Sequence, residues 1–479
     1  MLLVVLLAGA LLSTGCASER TGDTGLTFEG DEGSQPSGDL GDEIDEPIAP
    51  GTGLDGNDAP TSEEVVQAAL TDVDAYWSRT YEDLYGTPYQ PISGGFWPYG
   101  PSSEQPPCGS PPPAYEDIAG NAFYCPSADL VAWDDVNLVP GLYDQFGGFT
   151  LGIVFAHEFG HAIQERSGTD GPTIMRELQA DCFAGAWTGD VAAGNSEYFD
   201  VGVSDLDKAV AGFLELRDGV GVDAGNPAAH GTGFDRIGAF AEGYEQGAER
   251  CAEYPDEFAA GEYVVVEVPF TRQDDFDRGG NLPLDQLWDI LDEDLDDFWT
   301  KRFEQLGETW TPIAGVVPVD PAVDEVECGG DTYRGEELEG ASFYCTDSDT
   351  IYIDEAGLLP ALVEVGDYAV ATEIARQYAF AAQARLGDLD NTLASNLQAD
   401  CLAGVYARSG FAGDRGDGQQ LFLSPGDLDE AVIGFLHNSD ASQAVDDGDS
   451  SVGTAFQRFN AYRAGFLEGP DACNAPGDG

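Results

Sequence analysis

The feature that most constrains the fold of this chain is an internal repeat with a period of about 220 residues. Leu178-Gln-Ala-Asp-Cys182 recurs unchanged as Leu397-Gln-Ala-Asp-Cys401, and Ala122-Phe-Tyr-Cys125 returns as Ser342-Phe-Tyr-Cys345. Because the matched segments keep their order and spacing, the sequence predicts two tandem domains. We call residues 61–255 repeat one and residues 282–479 repeat two.

The segments outside the repeats have the composition of connectors. Residues 17–60 are rich in Gly, Asp, Glu, Ser, Thr and Pro, which predicts an acidic flexible spacer. Residues 256–281 link the two repeats. Within this linker, Tyr263-Val-Val-Val-Glu-Val268 has the β-branched composition of a strand.

Hydrophobic periodicity predicts that each repeat is mainly helical, with an α+β fold that contains one small β-hairpin. Thr61-Ser-Glu-Glu64 has the pattern of a capping box at the start of a helix. The hairpin strands are expected on either side of Cys125, at 122–124 and 130–133. The predicted helices of repeat one are 62–84, a long helix that ends at Gly168, 173–190, 204–217 and 233–250.

The charge of the chain excludes one class of partner. Its 89 acidic residues against 19 Lys and Arg give a formal net charge of −70. Such a surface repels the phosphate backbone, so nucleic-acid binding is not expected. The hydrophobic fraction of 42% is sufficient for packed cores.

Eight cysteines are divided equally between the repeats, which favours disulfides formed in an oxidising compartment. Four cysteines allow three pairings in each repeat, and buried free thiols are the alternative. Proximity to the predicted hairpin favours the first bridge, and the second would join two helices of the same domain. The favoured pairs are Cys108–Cys125, Cys182–Cys251, Cys328–Cys345 and Cys401–Cys473.

The start of the chain has the pattern of an export signal. The apolar run from Leu2 to Leu12 is too short to span a bilayer and suits a signal-peptide core. Leu-Leu-Ser-Thr-Gly-Cys16 then resembles a bacterial lipobox, although no Lys or Arg precedes the apolar run. We therefore expect residues 1–16 to direct export and Cys16 to carry a lipid. The predicted product is a membrane lipoprotein facing the cell exterior or envelope, and an ordinary cleaved signal peptide is the alternative.

His157-Glu158-Phe159-Gly160-His161 is the segment that points to metal chemistry. Spacing of i and i+4 places both imidazoles on one face of a helix, where they can bind one zinc ion. Glu158 is placed to accept a proton from water rather than to bind the metal. Glu177 is the expected third ligand, and Asp181 is expected to hydrogen-bond a ligand histidine.

Repeat two lacks all four of the residues that would bind zinc or act as base. Alignment of Gly168 with Gly387 leaves Asp400 as the counterpart of Asp181. The positions of the two histidines, the base and the third ligand hold Arg376, Phe380, Gln377 and Asn396, respectively. Repeat two therefore cannot build this zinc site, and we expect one zinc ion per chain and a degenerate, metal-free second domain.

Four segments of repeat one resemble the neutral zinc metallopeptidase family of bacteria. They are Phe123-Tyr-Cys-Pro126, His157-Glu-Phe-Gly-His161, Glu177-Leu-Gln-Ala-Asp-Cys182 and His230-Gly-Thr232. The resemblance implies a zincin-like fold and a zinc-dependent peptidase with a glutamate as third ligand. It implies no particular substrate. One departure is Ala162, where the family often has a second histidine.

His230 is a further candidate because it lies in the family-like His-Gly-Thr segment. It could donate a hydrogen bond to an oxyanion. A histidine that only holds a loop or caps a helix is an equal alternative. Repeat two has Val452 at the aligned position.

Together these patterns predict an exported, lipid-anchored zinc endopeptidase that acts on peptides or proteins. The alternative from another class is a cell-envelope binding module that keeps a metal but catalyses nothing. A hydrolase of other amides or esters is a third hypothesis. Glu158 favours catalysis, because a structural zinc site has no need of a base. Repeat two is expected to serve as a packing partner or a substrate-docking surface.

Overall fold

The computed structural model describes residues 60–222, 230–270, 272–390, 392–413, 415–437 and 452–474. It is mainly helical with small sheets, which agrees with the predicted α+β composition. The helices are α1 Ser62–Tyr85, α2 Tyr115–Ile118, α3 Leu138–Phe146, α4 Gly148–Ser167, α5 Thr173–Ala192, α6 Val203–Glu215, α7 Gly233–Gln246, α8 Ala248–Ala252, α9 Tyr254–Ala260, α10 Gln273–Phe276, α11 Leu284–Leu306, α12 Leu358–Val365, α13 Asp367–Leu386, α14 Leu393–Ala412, α15 Asp427–His437 and α16 Ala455–Glu468. The strands are β1 Gly95–Tyr99, β2 Ala122–Cys125, β3 Leu130–Asp134, β4 Gly315–Val319, β5 Glu325–Cys328, β6 Asp331–Arg334, β7 Ser342–Cys345 and β8 Thr350–Asp354.

The chain forms two compact units. Of the described residues, unit one contains 60–200 together with Gly243–Ala260, and unit two contains those of 201–242 together with those from Gly261 onward. This grouping differs from the predicted domains, because the described residues of 201–242 in repeat one belong to unit two and the predicted linker is divided between the units. A reciprocal pair of caps explains the grouping within unit two: Asp207 of α6 caps the start of α16, and Asp429 of α15 caps the start of α7.

Unit one is organised around α4, which is buried along most of its length. The capping box at Thr61 and Glu64 is present at the start of α1, as predicted. Helix α4 also packs closely against α5, since a Cβ at Gly160 would lie 2.9 Å from the Cα of Ala180. A glycine at this position therefore permits the approach of the two helices that carry the predicted metal ligands.

The sheet of unit one has the strand order β1-β3-β2. The predicted hairpin is confirmed, because β2 pairs antiparallel with β3. The sequence predicted no strand at β1, which pairs parallel with β3, from Gly95 opposite Leu130 to Tyr99 opposite Asp134. Pro98 hid this strand from sequence analysis, but a strand at the edge of a sheet tolerates proline.

The larger sheet of unit two has the order β4-β8-β7, with the same parallel and antiparallel pairings as the sheet of unit one. β5 and β6 form a separate hairpin. The predicted strand at Tyr263–Val268 is wrong, because the backbone N–H of Val266 donates to the carboxylate of Asp235 at 3.1 Å instead of to another strand.

One predicted helix is interrupted. The sequence predicted a single helix over 233–250, whereas the structure has α7 and α8 separated at Gly247. Gly247 has a φ of 78°, a left-handed conformation that ends α7 and that glycine adopts without strain.

The four favoured disulfides are all present. Unit one contains Cys108–Cys125 and Cys182–Cys251, and unit two contains Cys328–Cys345 and Cys401–Cys473. Four disulfides in one chain are typical of proteins that function outside the cytoplasm. Within the described ranges, no helix is both long enough and apolar enough to cross a membrane. The predicted signal segment and Cys16 lie outside the described residues.

Candidate metal centre

The three predicted ligands of repeat one converge between α4 and α5. His157 and His161 lie one turn apart on α4 and face Glu177 on α5. The Nε2 atoms of the two imidazoles are 3.4 Å and 3.6 Å from the carboxylate oxygens of Glu177. One ligand atom from each residue lies within 4.8 Å of the other two, so all three can reach one ion.

Hydrogen bonds on the far side of each imidazole orient this set. His157 Nδ1 lies 2.7 Å from Asp181 Oδ1, which agrees with the role expected of Asp181. His161 Nδ1 lies 3.0 Å from Gln164 Oε1, and Gln164 in turn donates from Nε2 to the carbonyl of Arg176 at 2.6 Å. With both Nδ1 atoms engaged, the Nε2 atoms face Glu177, as metal-binding histidines require.

Sequence analysis missed Gln164. It lies three residues after His161, so it shares a helix face with that histidine. The i, i+3 spacing from His161 was the one feature of the sequence that could have indicated Gln164. A glutamine at that spacing is too common on helices to be recognised without the fold.

The residues present fit a zinc ion. His161 Nε2 is buried and has no hydrogen-bond partner among the described residues. Such an atom is costly to bury unless a ligand satisfies it. Two imidazole nitrogens and one carboxylate are also the three-ligand set of catalytic zinc sites that keep one position open.

The electrostatics of the cluster favour positive charge. Burial lowers the pKa of the His157 imidazole, but Asp181 and Glu177 outweigh burial and raise that pKa to about 10. Burial raises the pKa of the Glu177 carboxyl, yet the two imidazoles bring it well below its usual range. The site therefore holds buried negative charge that a proton or a metal cation can balance.

Glu158 is buried next to the proposed ligands, but its carboxylate bonds to the backbone of the sheet. Its side chain is 4% exposed, and Oε2 accepts a hydrogen bond from the backbone N–H of Tyr124 at 2.8 Å. Tyr124 lies on β2, the outer strand of the hairpin, so the sheet holds this carboxylate in place. Sequence analysis could not identify this partner because it is a backbone group.

His230 lies in unit two, where Asp218 holds it. The backbone N–H of His230 donates to Asp218 Oδ2 at 2.7 Å, and its Nδ1 lies 3.2 Å from Asp218 Oδ1. The N–H of Gly231 donates to the same carboxylate at 2.8 Å. These bonds hold His230 and Gly231 just before α7, and the role of His230 toward an oxyanion stays a prediction.

In repeat two, Arg376 occupies the position that aligns with His157. Arg376 Nε lies 2.9 Å from Asp400 Oδ1, and its Nη2 donates to Asn396 Oδ1 at 2.6 Å. Arg458 adds a second guanidinium, 3.2 Å from the same Asp400 oxygen. Repeat two therefore balances its buried aspartate with arginine side chains.

Comparison with known proteins yields relatives but no described family. No protein-family model matches the chain, and no solved structure matches it. The chain is 32% identical over 154 residues to the uncharacterized protein Rv2575 of Mycobacterium tuberculosis H37Rv, covering 26% of this chain and 52% of that protein. It is 29% identical over 152 residues to the uncharacterized protein YpfJ of Escherichia coli K12, covering 26% and 50%. The chain thus spans about half the length of the curated relatives it matches.

Proposed function

We propose that this chain is an exported, zinc-dependent endopeptidase with its catalytic centre at His157, His161 and Glu177. The observation that carries the proposal is the convergence of these three side chains, with the buried Nε2 of His161 lacking a hydrogen-bond partner in the described part of the chain. When bound there, zinc acts as a Lewis acid and lowers the pKa of water toward neutrality.

Glu158 is the general base of the proposed reaction. It is adjacent to the ligands and is not one of them. The Tyr124 N–H occupies one carboxylate oxygen, so Oε1 remains to accept a proton from the attacking water. The same carboxyl then returns the proton to the leaving amine, which completes hydrolysis of the peptide bond.

The two repeats fit a duplicated, zincin-like domain of which one copy has lost its metal site. The identical strand order of the two three-stranded sheets and the matching disulfides support a duplication. Arg376 in the second copy fills with its own guanidinium the position that His157 holds in the first. We propose that the second copy serves as a packing partner or a docking surface for substrate.

The proposed location is the outer face of the cell membrane or the cell envelope. The four disulfides support export, and the lipobox-like segment ending at Cys16 would supply a lipid anchor. Cys16→Ser should move the mature protein from the detergent phase to the aqueous phase, or block processing. Equal membrane association of the two forms would contradict the anchor.

The alternative is a cell-envelope binding module that retains the metal without turnover. Glu158 distinguishes the two functions, because a binding module makes no use of a buried carboxylate beside an open metal position. Substrate panels that include amides and esters separate a peptidase from other zinc hydrolases.

The deciding experiment combines metal analysis with a peptidase assay on the wild type, Glu158→Gln and Gln377→Ala. We expect one zinc ion per chain in all three. Glu158→Gln should lower the rate by about 10²–10⁴-fold with zinc retained, because the base is lost and the ligands remain. Gln377→Ala, the matched change in repeat two, should retain full activity. An active Glu158→Gln variant, or an absence of zinc from the wild type, would overturn the proposal.

A further inference from the structure

Three buried carboxylates meet in unit two, apart from the residues proposed to bind zinc. Asp367 begins α13, and Asp427 and Glu430 lie in the first turns of α15. One oxygen from each carboxylate lies within 4.8 Å of the other two. Asp427 is 2% exposed, and the other two residues are 8% exposed, so the cluster is nearly closed to water.

Backbone N–H groups orient all three carboxylates. Each side chain accepts one hydrogen bond from the main chain at one of its two oxygens, which are Asp367 Oδ2, Asp427 Oδ2 and Glu430 Oε2. The donors are the N–H groups of Leu282, Ser424 and Tyr368, at 2.9, 2.7 and 3.0 Å, respectively. The cluster is therefore preorganised by the fold.

Two of the remaining carboxylate oxygens indicate that the cluster binds a ligand. Oδ1 of Asp367 and Oδ1 of Asp427 are buried and have no hydrogen-bond partner in the described part of the chain. No described lysine, arginine or histidine forms an ion pair with any of the three carboxylates. The amino ends of α13 and α15 supply partial positive charge, but this does not balance three buried carboxylates.

Repeat one has different residues at the three positions that align with this cluster. They hold Gly148, Asp205 and Lys208, in place of the three acidic residues of repeat two. Lys208 is solvent-exposed and its Nζ lies 3.7 Å from Asp205 Oδ1, so repeat one has a cation at the position of Glu430. Repeat two has a third carboxylate where repeat one has that lysine.

We propose that Asp367, Asp427 and Glu430 bind a calcium ion. A site built from carboxylate oxygens alone, without nitrogen or sulfur ligands, favours hard cations such as calcium or magnesium over zinc or copper. Two oxygens on opposite sides of calcium lie about 4.8 Å apart, since each Ca–O distance is about 2.4 Å. Magnesium requires shorter distances and a stricter octahedron, so the spacing and the three oriented carboxylates favour calcium.

A cavity adjoins one member of this cluster, Asp367. A cavity of about 190 Å³ is lined by Asp367, Asn281 and Leu282, together with apolar residues that include Val363 and Val370. Without a cation, burial and the nearby Asp367 carboxylate raise the pKa of Glu430 to about 8. Proton sharing among the carboxyls is thus the competing way to neutralise the cluster, and the experiment must separate it from calcium binding.

The test uses the full chain after treatment with a chelator. Equilibrium dialysis with calcium should give one ion bound per chain. A calcium concentration of one hundred times Kd should raise the melting temperature by about 5–10 °C, because the ion binds only the folded state. Magnesium at the same ionic strength should give a much smaller shift. Equal shifts would show charge screening of this acidic protein and overturn the proposal.

Three variants locate the site. Asp427→Asn should abolish the calcium shift, and it should melt higher than the wild type in chelator because repulsion is relieved. Asp205→Asn, the matched change in repeat one, and Glu177→Gln, which removes a proposed zinc ligand, should keep the full shift. A shift retained by Asp427→Asn, or lost in Glu177→Gln, would overturn the assignment.

If Asp427→Asn fails to fold, Asp367→Asn supplies the same test. A wild type that responds only to acid pH and binds no calcium would show proton sharing instead. The proposal stands independently of the peptidase function.

Discussion

The pairing of His157 with Asp181 leads to a prediction about zinc affinity. The two side chains are 2.7 Å apart and buried, and Asp181 bears the charge that strengthens the bond to the imidazole. A hydrogen bond to a charged group contributes about 1.5–3 kcal/mol, against about 0.5–1.5 kcal/mol for a neutral one. Asp181→Asn keeps an acceptor but removes the charge, so it should weaken zinc binding by about 1.5 kcal/mol, or about tenfold.

The assay is competition for zinc against a chromophoric chelator, with Asp400→Asn as the matched control. Asp400 holds two buried arginines rather than a proposed ligand histidine. Its neutralisation should therefore leave zinc affinity unchanged and lower the free energy of unfolding by about 3–5 kcal/mol. The reasoning would be refuted if Asp181→Asn bound zinc within twofold of the wild type, or if Asp400→Asn weakened zinc binding equally.

Two further predictions concern packing. Gly160→Ala would place a Cβ 2.9 Å from the Cα of Ala180, so we expect overpacking to cost about 1–3 kcal/mol in urea unfolding and to weaken zinc binding. Unchanged stability would contradict the close approach of α4 and α5. Asp207→Ala removes the acceptor for two N–H groups at the start of α16, which should destabilise unit two by about 0.5–2 kcal/mol, as measured by hydrogen exchange of α16. Protection of α16 equal to that of the wild type would rule out this cap.

The parts of the fold and site that sequence analysis predicted are those determined by local geometry. Helix periodicity places His157 and His161 on one face, and Glu177 and Asp181 follow on the next helix with the same spacing. The disulfides were predictable for a similar reason, since Cys125 is adjacent to a strand and the repeat supplies a second example. Helix α1 begins at its capping box because Thr61 and Glu64 satisfy each other's backbone donors.

The features that were not predicted depend on contacts between distant parts of the chain. β1 contains a proline and is recognisable only once β3 lies beside it. The valine-rich run before Val268 has strand composition, but a buried carboxylate accepts a backbone N–H from Val266. The cluster of Asp367, Asp427 and Glu430 was not predicted for another reason. Asp367 and Asp427 are 60 positions apart in a chain with 89 acidic residues, so nothing in the sequence distinguishes them from the other acidic residues.

The differences between the two repeats at the proposed zinc site are correlated rather than random. Asp400 is buried as fully as Asp181, and an isolated buried carboxylate is costly. In repeat one His157 contacts the buried carboxylate of Asp181, whereas in repeat two Arg376 supplies a permanent cation to Asp400. The positive charge of a guanidinium repels a metal cation. The neutral Asn396 accepts a hydrogen bond from one N–H of Arg376. Repeat two thus balances the buried charge of Asp400 with arginine side chains, without the four residues proposed to bind and use zinc.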